Sequence, residues 1–307
     1  MFKKIKKILY QWLKSYYNGD KFLYQRNLSR GYNFSKPLVL IYTMGKVGST
    51  SIYESFKDHN SKYNVIHLHT LNSSSLKKRE RFIKKEVYHD KQYTRHVYTN
   101  LLWKPIWVKK LLAKNKKPIH IITVIREPIG RNISLFFQWL EFEESENTYF
   151  FKSRNEKYPF QITTPKDDLT ELYKVFLNTF TRQSHNEWLQ EELNAVFQLN
   201  LLEIPFDKRD NFAIYEDDDK RLLTLKLEKI NETFKKGILN FLQEDITLLR
   251  MNEASAKDIN VVYKKFKAGL RLPKQYVDEL YNSAYIKHFY TLDEIEEFQL
   301  KWRNQPL

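Results

Sequence analysis

A short loop near residue 45 contains the residue types that bind an anion. Its sequence, TMGKVGSTS, holds two glycines, one lysine and three hydroxyl residues. The candidate ligand residues are Gly45, Lys46, Val47, Gly48, Ser49, Thr50 and Ser51. The chain has only 7 glycines, so two of them around one lysine indicate a tight turn. Free N–H groups, hydroxyls and an ammonium at a helix start favour phosphate or sulfate, although a plain strand, turn and capped helix would also fit.

A second basic segment, REPIGRNIS, covers residues 126 to 134. Arg126 precedes a proline that begins a predicted helix, and Arg131 and Ser134 lie within that helix. Arg126 and Ser134 could therefore face one phosphate group. The alternative is a salt-bridged arginine and a surface serine. A second anion-binding element after the first favours the phosphate interpretation.

Two histidines are the main candidates for a general base. His67 and His69 are one strand period apart in KYNVIHLHTL and share a face of the predicted strand. Histidine is well suited to remove a proton from a hydroxyl at neutral pH. A structural histidine is a common alternative, and His96 and Glu54 are further candidates.

The elements that must position these residues are apolar strands. The runs LVLIY and IHIITVI, rich in β-branched residues, directly precede the two basic segments, as expected for central parallel strands covered on both faces. Ligand sites of such sheets lie at the carboxyl ends of the strands. We therefore predict an α/β fold with a central parallel sheet flanked by helices and a single domain over residues 36–303. Residues 72–116 are predicted as charged helices that could form one wall of an acceptor cleft or be simple surface helices. Residues 141–165 are predicted as a loop over the site.

The loop differs from the Walker A pattern because its lysine precedes the second glycine instead of following it. Lys46, Gly48, Ser49, Thr50 and Ser51 instead resemble the 5′-phosphosulfate loop of sulfotransferases that use 3′-phosphoadenosine 5′-phosphosulfate (PAPS). The Arg-x-Pro-x-x-Arg-x-x-Ser segment resembles their 3′-phosphate site, with Arg126 and Ser134 as ligands. The resemblance implies the P-loop NTPase-like sulfotransferase fold, PAPS as sulfate donor and no metal. It also implies that Lys46 stabilises the leaving group.

The second half of the chain resembles a narrower group. Trp188 to Glu192, the Pro205–Phe206 turn and the strand RLLTLKLEKI are similar to the bacterial capsular polysaccharide synthesis family, a sulfotransferase-like group also called NKWYS. The resemblance spans about residues 36–298, with a helix-rich C-terminal part. The family's Asn-Lys-Trp-Tyr-Ser element is replaced by Ala256, Lys257, Asp258, Ile259 and Asn260. Lys257 could contact the cofactor or acceptor or be an exposed lysine, and Glu228 is expected to cap a helix or fix a loop.

Composition limits the remaining possibilities. The net charge of +15 suits an anionic cofactor, acceptor or membrane surface, and no nucleic-acid motif accompanies it. Zero cysteines exclude disulfides and thiolate catalysis, and no metal-ligand spacing is present. Residues 1–30 are predicted as a basic amphipathic helix. Its residues 1–17 either contact an anionic membrane or pack on protein. A cytoplasmic location, or the inner face of the membrane, is expected.

Together these features predict a PAPS-dependent carbohydrate sulfotransferase. Its acceptor would be a hydroxyl of a polysaccharide or glycolipid in capsular or extracellular polysaccharide synthesis. Two alternatives stay open at this point. One is an atypical P-loop kinase, and the other is a non-catalytic nucleotide-binding component of a polysaccharide assembly complex.

Overall fold

The computed structural model describes residues 17–82, 99–115, 117–154, 158–180, 186–249 and 257–303. The predicted amphipathic helix up to residue 16 and the candidate base His96 lie outside these ranges. Of Lys257, only the backbone is described.

A five-stranded sheet in the order β2-β1-β3-β8-β7 forms the centre of the fold. Its first four strands in that order are parallel, and β7 pairs antiparallel with β8 at the edge. The strands are β1 (Leu38–Tyr42), β2 (Asn64–Leu68), β3 (Ile119–Ile125), β7 (Phe212–Glu216) and β8 (Lys220–Lys226). All of β1 and the last five residues of β3 and β8 are buried, as expected for strands covered on both faces. The predicted parallel strands are confirmed, and the antiparallel edge strand is an addition to them.

The strand order places the ends of β1 and β3 side by side. From β1 the chain crosses to β2 on one side, and β3 then pairs with β1 on the other side. Such a reversal opens a crevice at the carboxyl ends of the two strands, where open α/β sheets bind ligands. The loop after β1 and the segment that begins with Arg126 after β3 both start at this crevice.

Helices surround the sheet, and the described chain after β8 is mainly helical. Their bounds are α1 (Tyr17–Gly31), α2 (Ser49–Asp58), α3 (Ser73–Phe82), α4 (Lys104–Leu112), α5 (Pro128–Gln138), α6 (Thr170–Phe180), α7 (Ala195–Phe197), α8 (Ile230–Leu242), α9 (Lys257–Gly269), α10 (Lys274–Tyr281), α11 (Ala284–Phe289) and α12 (Leu292–Trp302). Short π-helical turns, Thr99–Trp103 and Leu189–Asn194, precede α4 and α7. The predicted strand RLLTLKLEKI is too long at its C-terminal end. The strand β8 ends at Lys226, and the chain then forms a 3₁₀ turn, Leu227–Lys229.

Residues 140–165 form a second sheet, so the predicted loop over the site is wrong. Strands β4 (Leu140–Glu144), β5 (Thr148–Ser153) and β6 (Gln161–Pro165) pair antiparallel. Tyr149 and Phe151 alternate along β5, are buried, and contact the ring of Phe142 on β4. Such aromatic cross-strand pairs stabilise antiparallel sheets. Charged residues are frequent in this part of the sequence, so the alternation of buried and exposed side chains along the strands was not recognised.

One cluster of buried apolar residues extends from Leu38 to Trp302 and includes residues of both sheets. Helix α2 contributes Ile52 and Phe56, which are one turn apart on the same face. In the part of the chain that the structure describes, no helix has the length and apolar character needed to cross a membrane.

Candidate functional site

The loop after β1 turns through two left-handed residues. These are Lys46, with φ of 66°, and Gly48, with φ of 76°. Gly45 does not take this conformation, so the left-handed residue preceding Gly48 is the lysine, contrary to the expectation of a turn made by two glycines. A Cβ atom at Gly48 would also lie 2.8 Å from Cδ1 of Leu227. Helix α2 starts at Ser49 without a side-chain cap, which leaves its first N–H groups for a ligand.

The predicted loop ligands have different environments. Val47 is fully buried in the core, so only its backbone could meet a ligand. The Ser49 hydroxyl is buried and lies 2.9 Å from Nε2 of His67. Thr50 is exposed and Ser51 is half-buried. Lys46 is half-buried and forms no ion pair with any described carboxylate. The ammonium, the exposed hydroxyl and the helix N–H groups are therefore the groups of this loop best placed to hold an anion.

Arg126 joins the two predicted anion-binding segments. Its Nη1 donates to the carbonyl oxygen of Lys46 at 2.7 Å and to Oγ of Ser134 at 3.0 Å. Nε of Arg131 donates to the carbonyl oxygen of Gly45 at 3.2 Å. Neither arginine forms an ion pair with a carboxylate among the described residues, which argues against the salt-bridge alternative. The structure thus brings the loop, both arginines and Ser134 together.

Glu127 fixes the start of α5 beside Arg126. Its carboxylate accepts hydrogen bonds from the N–H groups of Ile129 at 2.8 Å and Gly130 at 2.6 Å. The hydroxyl of Tyr281 also donates to this buried carboxylate. The sequence analysis missed Glu127, although an acidic residue directly before a proline is a recognised helix-start signal.

Glu228 fixes the same strand end, in agreement with its expected role in holding a loop. It accepts the N–H of Glu127 at 2.7 Å and the hydroxyl of Tyr290 at 3.2 Å. It does not cap α8, which has no side-chain cap. Burial raises the pKa of Glu228, and the hydrogen bond from the Glu127 N–H opposes that change. The hydroxyl of Tyr285 also holds the backbone of Arg126. It accepts a hydrogen bond from the N–H of Arg126 at 3.2 Å and donates one to its carbonyl oxygen at 3.0 Å.

The two histidines lie together, with ring centroids 4.7 Å apart, as their spacing predicted. Nδ1 of His69 lies 2.8 Å from the carbonyl oxygen of Thr43. Because a carbonyl only accepts, Nδ1 of the neutral ring carries the hydrogen and Nε2 has a free lone pair. Burial lowers the pKa of His69, and the hydrogen bond to Thr43 opposes this effect. The ring is therefore neutral at pH 7 and can accept a proton at Nε2.

His67 is less suited to act as a base. Its Nε2 is 2.9 Å from the Ser49 hydroxyl, and burial, with smaller effects of His69 and Lys104, lowers its pKa to about 3. Glu54 forms an ion pair with Lys57 on the same helix, at 3.4 Å. Among the base candidates that the structure describes, His69 has the most suitable geometry.

A buried carboxylate positions the chain after His69. Glu192, in the π-helical turn before α7, accepts the N–H groups of Leu71 and Asn72, both at 2.8 Å, and the hydroxyl of Tyr42. Trp188 donates its indole N–H to the carbonyl oxygen of His69 at 2.8 Å. Sequence reasoning gave these two residues no role, because nothing local in the sequence marks Glu192 as buried.

Residues 162–291 match a family model. The family is NKWYS, described as "Putative capsular polysaccharide synthesis protein". The match covers less than half of the chain and does not include the loop after β1 or the Arg126 to Ser134 segment. The chain has no significant match among curated proteins or among solved structures.

The segment that matches NKWYS contributes most of the residues that support the site. Glu192 and Trp188 hold the chain at His69, and Glu228 and Tyr285 hold Arg126. Tyr263, on α9, places its hydroxyl 3.2 Å from Oγ of Ser134. The matched and unmatched parts of the chain therefore build one site. Within the described residues, no group of three or more histidine and carboxylate side chains is placed to bind a metal ion.

Proposed function

We propose that this protein acts in the synthesis of a capsular or extracellular polysaccharide, as a sulfotransferase that moves a sulfuryl group from PAPS to a glycan hydroxyl. The observation that carries the proposal is the position of Arg126. Its guanidinium bonds both the phosphate loop, at Lys46, and Ser134. It therefore links two anion-binding positions at the ends of adjacent strands. A nucleotide with a phosphate at each of two positions matches this arrangement, and the family match at residues 162–291 supports the link to polysaccharide synthesis.

Each residue then has a defined task. The N–H groups at the start of α2, with Lys46 and Thr50, hold the phosphosulfate end of the donor, and Arg126 and Ser134 hold its 3′-phosphate. PAPS supplies the activated sulfuryl group. Nε2 of His69 accepts the proton of the acceptor hydroxyl, whose oxygen then forms the new bond to sulfur. Lys46 stabilises the negative charge that develops on the phosphate oxygen when its bond to sulfur breaks.

Calorimetry provides the first test. We expect adenosine 3′,5′-bisphosphate, the product that PAPS leaves, to bind without magnesium and more tightly than adenosine 5′-monophosphate or ATP. Tight binding of magnesium–ATP alone would favour a kinase and overturn the proposal. Binding of the bisphosphate without sulfate transfer to any glycan would favour a non-catalytic component.

Ser134→Ala tests the proposed 3′-phosphate position. Loss of one hydrogen bond from the hydroxyl to a charged phosphate should weaken binding of adenosine 3′,5′-bisphosphate by about 10- to 150-fold, from roughly 1.5–3 kcal/mol. Binding of adenosine 5′-monophosphate, which lacks the 3′-phosphate, should not change. An equal loss for both ligands would assign Ser134 only a structural role.

Lys46→Ala tests the chemical step. Removal of one preorganised positive group should lower the rate of sulfate transfer by roughly 10²–10³. Lys57→Ala, which removes an exposed lysine from α2, the helix that follows the loop, is the control and should retain the wild-type rate. Full turnover in Lys46→Ala would exclude the proposed role of this lysine.

A further inference from the structure

Lys104 lies beside Tyr53, whose ring is next to the histidine pair. It is the first residue of α4 and follows the π-helical turn Thr99–Trp103. Its Nζ is 5.6 Å from the ring centroid of Tyr53, and that ring is 5.9 Å from the ring of His67. The ring of His67 is in turn 4.7 Å from that of His69. A lysine from the predicted acceptor wall thus reaches the rings beside the candidate base.

Several cations lie near the histidine pair. Burial is the main cause of the lowered pKa of both histidines, and the charge of Lys104 lowers both further. The charges of Arg79 and Arg131 also lower the pKa of His69, and of these two Arg79 has the Glu192 carboxylate nearby. Burial lowers the pKa of Lys104 itself, and no acidic group opposes that effect. Among the described residues, no carboxylate forms an ion pair with Lys104 or Arg131. Partly buried cations without a partner are unfavourable in the free protein, and an anion that enters the site would relieve that cost.

The donor already has its own ligands. The proposed contacts to its phosphosulfate and 3′-phosphate use Lys46, Arg126 and Ser134, and Arg131 is tied to the loop through Gly45. Lys104 belongs to none of these contacts. It approaches His69, where the acceptor hydroxyl must lie if this residue is the base. The anion for Lys104 should therefore come from the acceptor.

We infer that the acceptor is an acidic glycan, and that Lys104 binds a carboxylate or sulfate ester close to the hydroxyl that reacts. This inference rests on the proposed function. It names the substrate class and adds Lys104 as a specificity-determining residue. An anion bound there would also favour the protonated form of His69, which makes this ring a stronger base once the acceptor is in place.

A purely structural role for Lys104 makes a different prediction. A lysine 5.6 Å from the centroid of the Tyr53 ring stabilises the fold through a cation–π contact. Removal of the lysine would then lower the stability of the protein slightly and would change the binding of acidic and neutral glycans equally. Discrimination between acidic and neutral glycans is therefore the readout that separates the two roles.

The test compares glycan binding by the full chain. The probes are galacturonate oligomers and their carboxyl-reduced galactose counterparts, with dextran sulfate and dextran as the second pair. We expect the wild type to prefer one acidic member over its neutral counterpart. Lys104→Met, which keeps the apolar stem, should reduce that preference about 10-fold, consistent with loss of one charge-assisted hydrogen bond. Lys104→Arg should retain most of it.

The control is Lys110→Ala, which removes an exposed lysine from the same helix. It measures the general attraction of polyanions to a chain with a net charge of +15. An unchanged preference in Lys104→Met, or the same loss in Lys110→Ala, overturns the inference. Selective loss with galacturonate indicates a carboxylate, and selective loss with dextran sulfate indicates a sulfate ester.

Binding of adenosine 3′,5′-bisphosphate is measured separately for each variant. Lys104→Met should bind it as the wild type does, because Lys104 is not a donor ligand. If the wild type fails to bind it, the proposed function is wrong. The glycan preference can still be measured in that case, so the two failures are distinguishable.

Discussion

Replacement of Glu192 by alanine should strongly destabilise the protein. One carboxylate oxygen accepts the N–H groups of Leu71 and Asn72 and the hydroxyl of Tyr42, and the side chain is only 4% exposed. Burial raises the pKa of Tyr42, so its hydroxyl remains a donor at every working pH. Each buried donor left without an acceptor costs about 1–3 kcal/mol. The Leu71 N–H keeps a second acceptor, the Tyr42 hydroxyl oxygen at 3.0 Å, so two donors are left unpaired and we expect a total loss of roughly 2–6 kcal/mol.

Urea denaturation followed by circular dichroism measures this loss. Glu192→Gln keeps an oxygen in place without its charge and should cost less, about 1–2 kcal/mol. Glu191→Ala is the matched control, because the neighbouring side chain is exposed and should change stability by less than about 0.5 kcal/mol. A cost below about 1 kcal/mol for Glu192→Ala would refute the assignment of these three hydrogen bonds as a buried network.

Two further predictions concern pH and the phosphate loop. The pKa of His67 is about 3 in the folded protein, against about 6.5 when unfolded, so the folded state binds fewer protons between these values and the free energy of unfolding decreases as pH falls from 6.5. His67→Gln should reduce that slope by at most about 1.4 kcal/mol per pH unit, and equal slopes from pH 4 to 6 in denaturation experiments would contradict it. Gly48→Ala should cost about 1–2 kcal/mol because of its positive φ and the contact with Leu227, whereas Gly45→Ala should be nearly neutral in thermal denaturation. Equal effects of the two substitutions would contradict the observed loop conformation.

The parts of the fold that sequence reasoning predicted well depend on local patterns. The runs LVLIY and IHIITVI are apolar and β-branched throughout, and both form buried parallel strands. The spacing of His67 and His69 likewise placed both rings on one side of β2. Local signals of this kind also placed Arg126 directly after β3 and Ser134 within the helix that follows.

The parts that were missed depend on contacts between distant residues. Glu192 contacts residues about 120 positions away, and Glu228 contacts Glu127 across 101 positions. No window of neighbouring residues contains that information. The left-handed conformation of Lys46 is also non-local in origin, because Arg126 holds the carbonyl of this lysine. The small number of glycines therefore located the loop, but it did not show which of its residues take the left-handed conformation.

The position of β3 between β1 and β8 affects the order of events during synthesis. The loop after β1 leaves the ribosome long before residues 220 to 226, which must pair with β3 to complete the sheet. Until then the edge of β3 is open and apolar, and such an edge can pair with other chains. The nascent protein therefore contains the sequence of its candidate anion site well before it contains the strand that pairs with the open edge of β3.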